Sequence, residues 1–592
     1  MTVSNDKNTA ISTKQIIFSH LFYEGRFAVP WHQRHYDWTK EHVRELLQDI
    51  DEAIKEKRRC YFLGAIILIE KGTKFWEIND GQQRMVTLSL ICACLSRLFY
   101  ETNQQIYENH ALRVLFDLDV NSTARLPDAD ELEPRLTPPR DDRTRYNLMI
   151  RGSSIGTNGK LTDAWQEIDQ FVSGMGIEQS KRFMDFLLNK IEVACLHIPD
   201  DIDPNSVFET INCRGKRLED LDLIRNYLYS YFNAPEEKPR RDTVHDNLEN
   251  VRVQLRSDTK AGEYARCYFQ CEYGFLPKQS FYRKTREMIR STTDPQHPSD
   301  YVYDLVSKFS LKERVALFET IANPSTTNAF AENFQKHSNS NKKKRNLSIF
   351  LQELKAYKVA QPIVFALLNR YVMEPDSVKK RRLAKRVHAD LNRITSFILR
   401  TALVVPKFEP SQFESEFSNL AKRIMSANNL YDVDIMCFLE EFDVTYGIIN
   451  DDKFIEKMKV VEIRNVRDRR AKRFLLSINH SMQSDGRLIN EQHCSLEHII
   501  PRSEYHWSGW NNFEEHNPED WIYRIGNLTL LGIEDNRPSQ GDNISFSRKK
   551  EIFERSAIKL TRELDYEDWS PHAITSRQEK LAKLAAKTVW TF

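Results

Sequence analysis

The hydrophobic pattern of this chain changes character twice, and that change constrains the fold more than any other feature of the sequence. In the first part, residues 62–68 and 75–78 form short apolar runs typical of strands, whereas residues 85–98 have helical periodicity. Alternation of this kind predicts a mixed α/β domain, which we place at residues 1–235.

The second part of the chain has long amphipathic segments instead, for example over residues 348–371 and 378–405. Such segments predict a helical middle domain over residues 236–452. Strand-like runs return in residues 453–592, which we predict to be a C-terminal domain. A chain of 592 residues is too long for one hydrophobic core, so the overall prediction is an α+β multidomain fold.

The overall charge gives no sign of a polyanionic partner, because 86 Lys and Arg residues nearly balance 85 Asp and Glu residues. Any surface for nucleic acid must therefore be local. One basic stretch, residues 464–473, includes Arg470 and Lys472. It is either the solvated face of a helix or a surface that contacts DNA phosphates, and on the second interpretation Arg470 and Lys472 are candidate phosphate contacts.

The cysteines indicate the compartment. There are nine, scattered and without a C-x-x-C pair, which argues against a disulfide framework or a zinc ribbon and favours a reducing cytoplasm. The N-terminus lacks the apolar core of a signal peptide, and the longest apolar run, residues 61–69, is too short to span a bilayer. We therefore expect a cytoplasmic protein with no membrane partner.

The strongest candidate for a catalytic centre lies in the C-terminal domain. A strand-like run carries Glu497 and His498, a second run begins at Asn527, and Asn536 follows. Hydrolysis of a phosphodiester needs a base to activate water and a hard cation to neutralise charge on the phosphate. A neutral histidine can be the base, and carboxylate and amide oxygens are the ligands that Mg²⁺ prefers.

These residues stand in motifs that resemble the HNH domain of GmrSD-type restriction proteins. The same order of His, Asn and Asn resembles the HNH domains of CRISPR effector nucleases. Many relatives in the wider superfamily have Asp where this chain has Glu497. The motifs are Glu497-His498-Ile499-x-Pro501, Gly526-Asn527-Leu528-Thr529-Leu530, Asn536 and Asn543-x-x-Phe546-x-x-Lys549.

The resemblance implies a ββα-metal (HNH) nuclease domain and a role for each residue. His498 would be the general base, Asn527 would orient the loop, and Glu497 with Asn536 would hold Mg²⁺ or Mn²⁺. Two alternatives stay open: a satisfied buried histidine with asparagines in turns, or a zinc site through His493, Cys494 and His498 that lacks a second Cys/His pair. The further candidate phosphate contacts are Arg537 and Lys549.

A second candidate site lies in the N-terminal domain, where a strand passes through Asp80 and Gly81 into a helix. A helix start presents backbone N–H groups and a positive dipole end, which bind anions. Arg84 in the first turn opposes the helix dipole, and an anion held there would explain it. The alternative is that Arg84 pairs with Asp80 as a local cap.

Two further blocks have the same polar character. One covers residues 30–38, and the other precedes a predicted helix at residues 220–229, where a phosphate would suit the helix start. Neither block is a Walker A loop. The predicted nucleotide-binding residues are Gln33, Arg34, Asp80, Gly81, Gln82, Gln83, Arg84, Asn212, Arg214, Gly215 and Lys216.

The three blocks resemble the N-terminal domain of the same GmrSD-type family. Its core is similar to ParB and sulfiredoxin, and its D-G-Q-Q-R motif is implicated in nucleotide binding and hydrolysis. Both resemblances together imply a single-chain, modification-dependent (type IV) restriction enzyme of bacterial anti-phage defence. Its partners would be modified phage DNA and an NTP that gates or powers the nuclease.

The sequence leaves the identity of the NTP, the DNA modification and homo-oligomerisation open. It also leaves two rival functions, an NTP-responsive DNA-binding sensor that does not cleave and an RNA-cleaving toxin.

Overall fold

The computed structural model divides the chain into two compact units. The first comprises Met1–Leu218 with Arg225–Ser230, and the second comprises Glu219–Ile224 with Tyr231–Phe592. The structure describes residues 12–30, 33, 35–118, 124–153, 159–199, 220–232, 234–294, 296–324, 329–338, 345–405, 408–464, 469–483, 489, 491–502, 510–513, 516–533, 535 and 545–592.

The first unit contains a mixed six-stranded sheet with the order β1-β6-β3-β4-β2-β5. The last of these strands in the sequence, β6, lies between the first, β1, and the long strand β3. It is antiparallel to β1 and parallel to β3. The strands are β1 (Ser12–Ile17), β2 (Arg26–Ala28), β3 (Tyr61–Gly72), β4 (Phe75–Asp80), β5 (Leu136–Thr137) and β6 (Ile191–Ile198).

The helices of this unit pack around one central helix, α3. It is apolar on nearly all sides and buried along most of its length, and it contacts α4, α5 and α6. The predicted strands at 62–68 and 75–78 and the helix after them are confirmed. The helices are α1 (Phe18–Tyr23), α2 (Lys40–Lys55), α3 (Gln82–Glu101), α4 (Gln105–Leu115), α5 (Arg140–Ile150), α6 (Lys160–Ser173), α7 (Ile177–Lys190) and, divided between the units, α8 (Asp220–Tyr229).

The second unit begins with a run of helices over the predicted middle domain. The segment predicted over 378–405 is confirmed as one long helix, α17. The segment predicted over 348–371 is instead two helices, because Pro362 lies in the first turn of a new helix and cannot continue the previous one. The helices are α9 (Lys238–Leu255), α10 (Asp258–Tyr273), α11 (Phe281–Thr292), α12 (Pro298–Phe309), α13 (Lys312–Ala322), α14 (Ala329–Ser338), α15 (Leu347–Leu354), α16 (Gln361–Val372), α17 (Ser377–Val404), α18 (Glu414–Ser426), α19 (Ile435–Tyr446), α20 (Asp451–Met458) and α21 (Arg470–Met482).

The described residues in the rest of the second unit include two antiparallel strands and several short or medium helices around a separate apolar core, which includes Ile499, Phe546 and Trp569. Its elements are β7 (Cys494–His498), α22 (Glu519–Ile522), β8 (Leu528–Gly532), α23 (Phe546–Glu554), α24 (Lys559–Arg562) and α25 (Pro571–Leu584), which continues into a π-helix (Ala585–Val589).

The last residues of the chain return to α17. Arg400 donates to the Ala586 carbonyl at 2.9 Å, and Asn392 donates to the Thr591 carbonyl at 2.7 Å. Trp590 is buried and donates to Ser477 on α21 at 2.9 Å. The helical and C-terminal segments thus belong to one compact unit, and the separation into domains at residue 452 stays a prediction. Among the described helices, none is long and apolar enough to cross a membrane.

Candidate active site

The β7–β8 pair places the acid–histidine motif at the end of a strand, as predicted. His498 is the last residue of β7 and pairs with Leu528, and Glu497 pairs with Thr529. Neighbouring residues of a strand point to opposite faces, so Glu497 and His498 have different surroundings. After β8 the described chain continues with helical residues at Ile533 and Asp535 and then with α23.

Glu497 is buried and forms an ion pair with Lys549 of α23. The Lys549 ammonium donates to Glu497 Oε1 at 2.6 Å and to the main-chain carbonyl of His498 at 2.7 Å. Burial lowers the pKa of Lys549, while the Glu497 carboxylate acts in the opposite direction. Because Lys549 is only 2% exposed, this geometry does not fit the prediction that it contacts DNA phosphate.

His498 is half-buried, and its imidazole is neutral at neutral pH. Burial lowers its pKa to about 4, and the positive charges of Arg502 and Lys549 add to the effect. The Tyr523 ring meets the imidazole edge-on at 6.3 Å between centroids. None of the described side chains hydrogen-bonds the imidazole. The ring is therefore in the unprotonated form that a general base needs, and its lowered pKa makes it a weaker base than a free imidazole.

Asn527 is fully buried, and its amide is satisfied on both sides. Its Oδ1 accepts hydrogen bonds from the Ile500 N–H at 2.9 Å and from the Trp569 indole at 3.0 Å. Its Nδ2 donates to the carbonyls of Ile500 and Ile522. Asn527 thus holds the segment that follows His498, which agrees with the orienting role proposed for it and leaves no amide group free for substrate.

The turn before β8 is clamped by α25, which the sequence did not reveal. Arg577, buried in this helix, donates to the carbonyls of Gly526 and Leu528 at 2.6 and 2.7 Å, and Gln578 accepts the Gly526 N–H at 3.0 Å. A β-carbon at Gly526 would lie 2.1 Å from the Ile574 carbonyl oxygen. Only glycine allows this approach, so Gly526 is needed for its lack of a side chain.

The metal assignment depends on residues that the structure does not describe. Asn536 and Arg537 lie outside the described residues, and one oxygen of Glu497 is already engaged by Lys549. In the described part of the chain, no group of three His, Cys, Asp or Glu side chains could hold a metal ion. The described residues thus neither form a magnesium site by themselves nor offer the zinc site at His498.

The strand–turn–helix predicted around the D-G-Q-Q-R motif is confirmed. β4 ends at Asp80, Gly81 adopts a left-handed conformation with φ 92°, and α3 begins at Gln82. No side chain caps α3, and its first turn contains no acidic residue. Both features leave the first N–H groups of α3 without a side-chain acceptor, as an anion site requires.

Arg84 forms the local pair that the sequence left as an alternative. Its guanidinium lies 3.4 Å from the Asp80 carboxylate and donates to the Leu63 carbonyl at 3.4 Å. The guanidinium packs against Gly64, where φ is +116°. A β-carbon at Gly64 would be 2.3 Å from the guanidinium. A glycine in a strand interior was the available signal for such a close approach, and the sequence analysis missed it.

Two of the three predicted nucleotide blocks lie together. Gln33 donates to the Asn79 carbonyl at 2.9 Å. Gln83 donates to the His35 carbonyl at 3.1 Å and accepts the Asp37 N–H at 2.8 Å. Both glutamines therefore hold the two blocks in place. The other predicted residues, Arg34, Asn212, Arg214, Gly215 and Lys216, lie outside the described residues.

Comparison with known families covers both ends of the chain. The N-terminal domain of GmrSD restriction endonuclease matches residues 17–229, and the C-terminal domain of GmrSD restriction endonucleases matches residues 448–584. Together these matches span more than half of the chain.

The chain belongs to the GmrSD restriction endonuclease family. Membership identifies a restriction nuclease whose substrate is DNA. The comparison with curated proteins found no match.

In this GmrSD-type chain, the basic stretch before β7 has structural contacts. Arg470 donates to the Ala402 carbonyl of α17 at 2.8 Å, and Lys472 donates to the Cys494 carbonyl of β7 at 2.6 Å. These contacts join α21 to α17 and to β7. They give both cations a structural role that does not require DNA. Contact of Arg470 and Lys472 with DNA phosphate stays a prediction.

Proposed function

We propose that this GmrSD-type restriction nuclease cleaves DNA with an HNH centre in which His498 is the general base. The observation that carries the proposal is a neutral imidazole at the end of β7, followed by β8 and α23. Asn527 fixes the segment after His498, and Lys549 fixes the His498 carbonyl. The backbone around the base is thus held by Lys549 at the His498 carbonyl and by Asn527 in the segment that follows.

The chain's contribution to the reaction is proton transfer and positioning. Water that attacks the phosphorus atom gives its proton to His498, which is deprotonated at neutral pH. As the new P–O bond forms, the bond from phosphorus to the leaving sugar oxygen breaks, and that oxygen takes a proton from solvent. Glu497 and Asn536 would hold Mg²⁺ or Mn²⁺, which neutralises charge on the phosphate when bound. Because Glu497 and His498 are neighbours on β7, both can serve one centre only if the backbone turns where the strand ends, at His498. The carboxylate oxygen not bonded to Lys549 must also face the ion.

The test is His498→Ala with purified protein and phage DNA. Removing a general base lowers the cleavage rate by about 10²–10⁴-fold, and EDTA should abolish cleavage by the unmodified chain. His516→Ala is the matched control, because His516 is exposed in the same unit. Full activity in a folded His498→Ala protein would exclude this base, and preferred cleavage of RNA would favour the toxin.

We further propose that an NTP binds at the start of α3 and gates cleavage of modified phage DNA in the bacterial cytoplasm. The support is the uncapped helix start beside Arg84 and the two blocks gathered there. Arg84→Ala should lose NTP binding by calorimetry, whereas Arg58→Ala, which removes an exposed arginine of the same unit, should keep it. Equal NTP binding by both variants would remove Arg84 from the site.

A further inference from the structure

The helical segment of the second unit carries a concentrated positive surface that the proposed mechanism does not use. Six of the eight side chains at residues 379–386, near the start of α17, are Lys or Arg, and none is acidic. This stretch lies between the two family matches. The exposed members, which we name the α17 cation cluster, are Lys379, Arg381, Arg382 and Lys385.

The protein compensates the cluster only in part, through the charge of the Asp376 carboxylate near Lys379 and Arg382. The two remaining cations have partners: Lys380 donates to the Val372 carbonyl at 3.1 Å, and Arg386 pairs with buried Asp390 at 2.6 Å. Across the described residues, no acidic side chain forms an ion pair with a member of the cluster. The nearby Asp376 carboxylate accepts two backbone N–H groups as the cap of α17.

This arrangement is unfavourable for the helix itself. Cations near a helix start oppose its dipole, and like charges four residues apart, such as Arg381 and Lys385, repel each other. The opposite face of the helix packs into the core through Leu383, Ala384 and Val387, so the cluster faces solvent. A bound polyanion would neutralise this local charge in a chain whose net charge is only +1.

An exposed aromatic side chain lies beside the cluster. Tyr431 is 51% exposed, its hydroxyl donates to the Arg382 carbonyl at 3.4 Å, and the Arg386 guanidinium lies 5.7 Å from its ring. Tyrosine hydroxyls and the cations of Lys and Arg side chains are among the groups that contact the phosphates and sugars of duplex DNA. The composition of the surface therefore fits a nucleic-acid backbone.

The cluster also differs from the phosphate contacts predicted from the sequence. Lys472 and Lys549, predicted as phosphate contacts, instead donate to groups within the protein. The cluster supplies exposed cations that these residues do not.

We propose that the α17 cation cluster is a sequence-independent contact surface for the phosphate backbone of duplex DNA. The proposal deepens the proposed function and rests on DNA as the substrate. It assigns a role to the helical segment that neither family match covers: the segment holds the duplex while the HNH centre acts on it.

The test measures DNA binding rather than cleavage, so it does not depend on the nuclease assignment. The full chain, in EDTA, is titrated with an unmodified fluorescent duplex of about 30 base pairs, roughly three helical turns. The variant is Lys379→Gln/Arg382→Gln/Lys385→Gln. Because each lost phosphate contact changes the slope of log K against log salt by about 0.9, the slope should become shallower by about 2–3. Affinity at about 50 mM salt should fall roughly 10- to 1,000-fold.

The matched control is Lys284→Gln/Lys308→Gln/Lys358→Gln, which removes the same charge from exposed lysines that are each paired with an acid. We expect it to keep the wild-type slope. Equal slopes of log K against log salt for the two triple variants would overturn the proposal. A cluster variant that keeps the wild-type slope for DNA but no longer binds an RNA of equal length would overturn it as well. The cluster variant should melt no lower than the wild type, because it relieves repulsion within α17.

Discussion

Glu497 and Lys549 bury opposite charges against each other, so removing one partner differs from removing both. Lys549→Met leaves the Glu497 carboxylate buried without its cation and releases the His498 carbonyl. Breaking a buried ion pair in this way costs about 3–5 kcal/mol. We therefore expect a large loss in the free energy of unfolding, measured by urea denaturation, and recovery of most of it in Glu497→Gln/Lys549→Met.

The neighbour of Lys549 in the sequence gives the control for this comparison of single and double variants. Arg548 is exposed and pairs with Glu551 on the surface, so Arg548→Met should cost at most about 1 kcal/mol. If Lys549→Met were no more destabilising than Arg548→Met, the buried pair would have no structural role. A folded double variant with nuclease activity would leave the Glu497 carboxylate without a role as metal ligand.

Asn527 presents a second contrast between a buried side chain and an exposed one. Asn527→Ala leaves the N–H of Ile500 and the indole of Trp569 without their acceptor, at about 1–3 kcal/mol for each unsatisfied group. We expect reduced stability in urea and a loss of cleavage through displacement of the segment after His498. Asn511→Ala, which removes an exposed asparagine nearby, should change neither property. Normal cleavage by Asn527→Ala would show that this segment needs no such anchor.

At the scale of elements, the contact between α25 and the turn before β8 makes a sharp prediction about Gly526. A methyl group there would overlap the Ile574 carbonyl oxygen, which is backbone and cannot rotate away. Gly526→Ala should therefore cost about 1–3 kcal/mol or more and lower the thermal midpoint. Gly72→Ala is the control, because nothing lies within 4 Å of its added carbon. Equal midpoints for the two variants would show that α25 can move away without cost.

The elements that the sequence predicted correctly are those set by neighbouring residues. The strand ending at His498, the passage from β4 through Gly81 into α3, and α17 follow from local periodicity and turn residues. The ion pair of Glu497 with Lys549 joins two elements separated by a long connection, and no local pattern encodes it. The sheet order, with β6 inserted between β1 and β3, depends in the same way on contacts between distant segments.

The same limit explains the candidate sites. His498 and Asn527 were found because their motifs resemble a family, and Asn527 was given its orienting role for that reason. Arg577 and Gln578 belong to no quoted motif, yet they fix the turn that carries Asn527. Sequence alone also could not distinguish a surface lysine from a buried one, which is why Lys549 was predicted to contact DNA.

For the whole second unit, the return of the chain to α17 predicts cooperative unfolding. Trp590 is buried against Phe454 and Phe474 and donates to Ser477. Trp590→Ala should cost about 3–5 kcal/mol and expose amides of α17 and of β7 and β8 together in hydrogen exchange.

Lys587→Ala is the control for this prediction, because Lys587 is exposed in the same π-helix. We expect its exchange pattern to match that of the unmodified chain. Increased exchange in β7 and β8 alone after Trp590→Ala would contradict a single cooperative unit and would support separate helical and nuclease domains.

The place of β6 in the N-terminal sheet has a consequence for how the chain is made. β3 emerges from the ribosome long before β6, the strand that pairs with it along most of its length. At about 5–20 residues per second, the wait lasts roughly 6–24 s. During that interval the apolar strand β3 has an unpaired edge, the type of surface that pairs with other chains and aggregates. Synthesis of this protein in quantity should therefore depend on chaperones that shield nascent strands, and slower growth at low temperature should not by itself replace them.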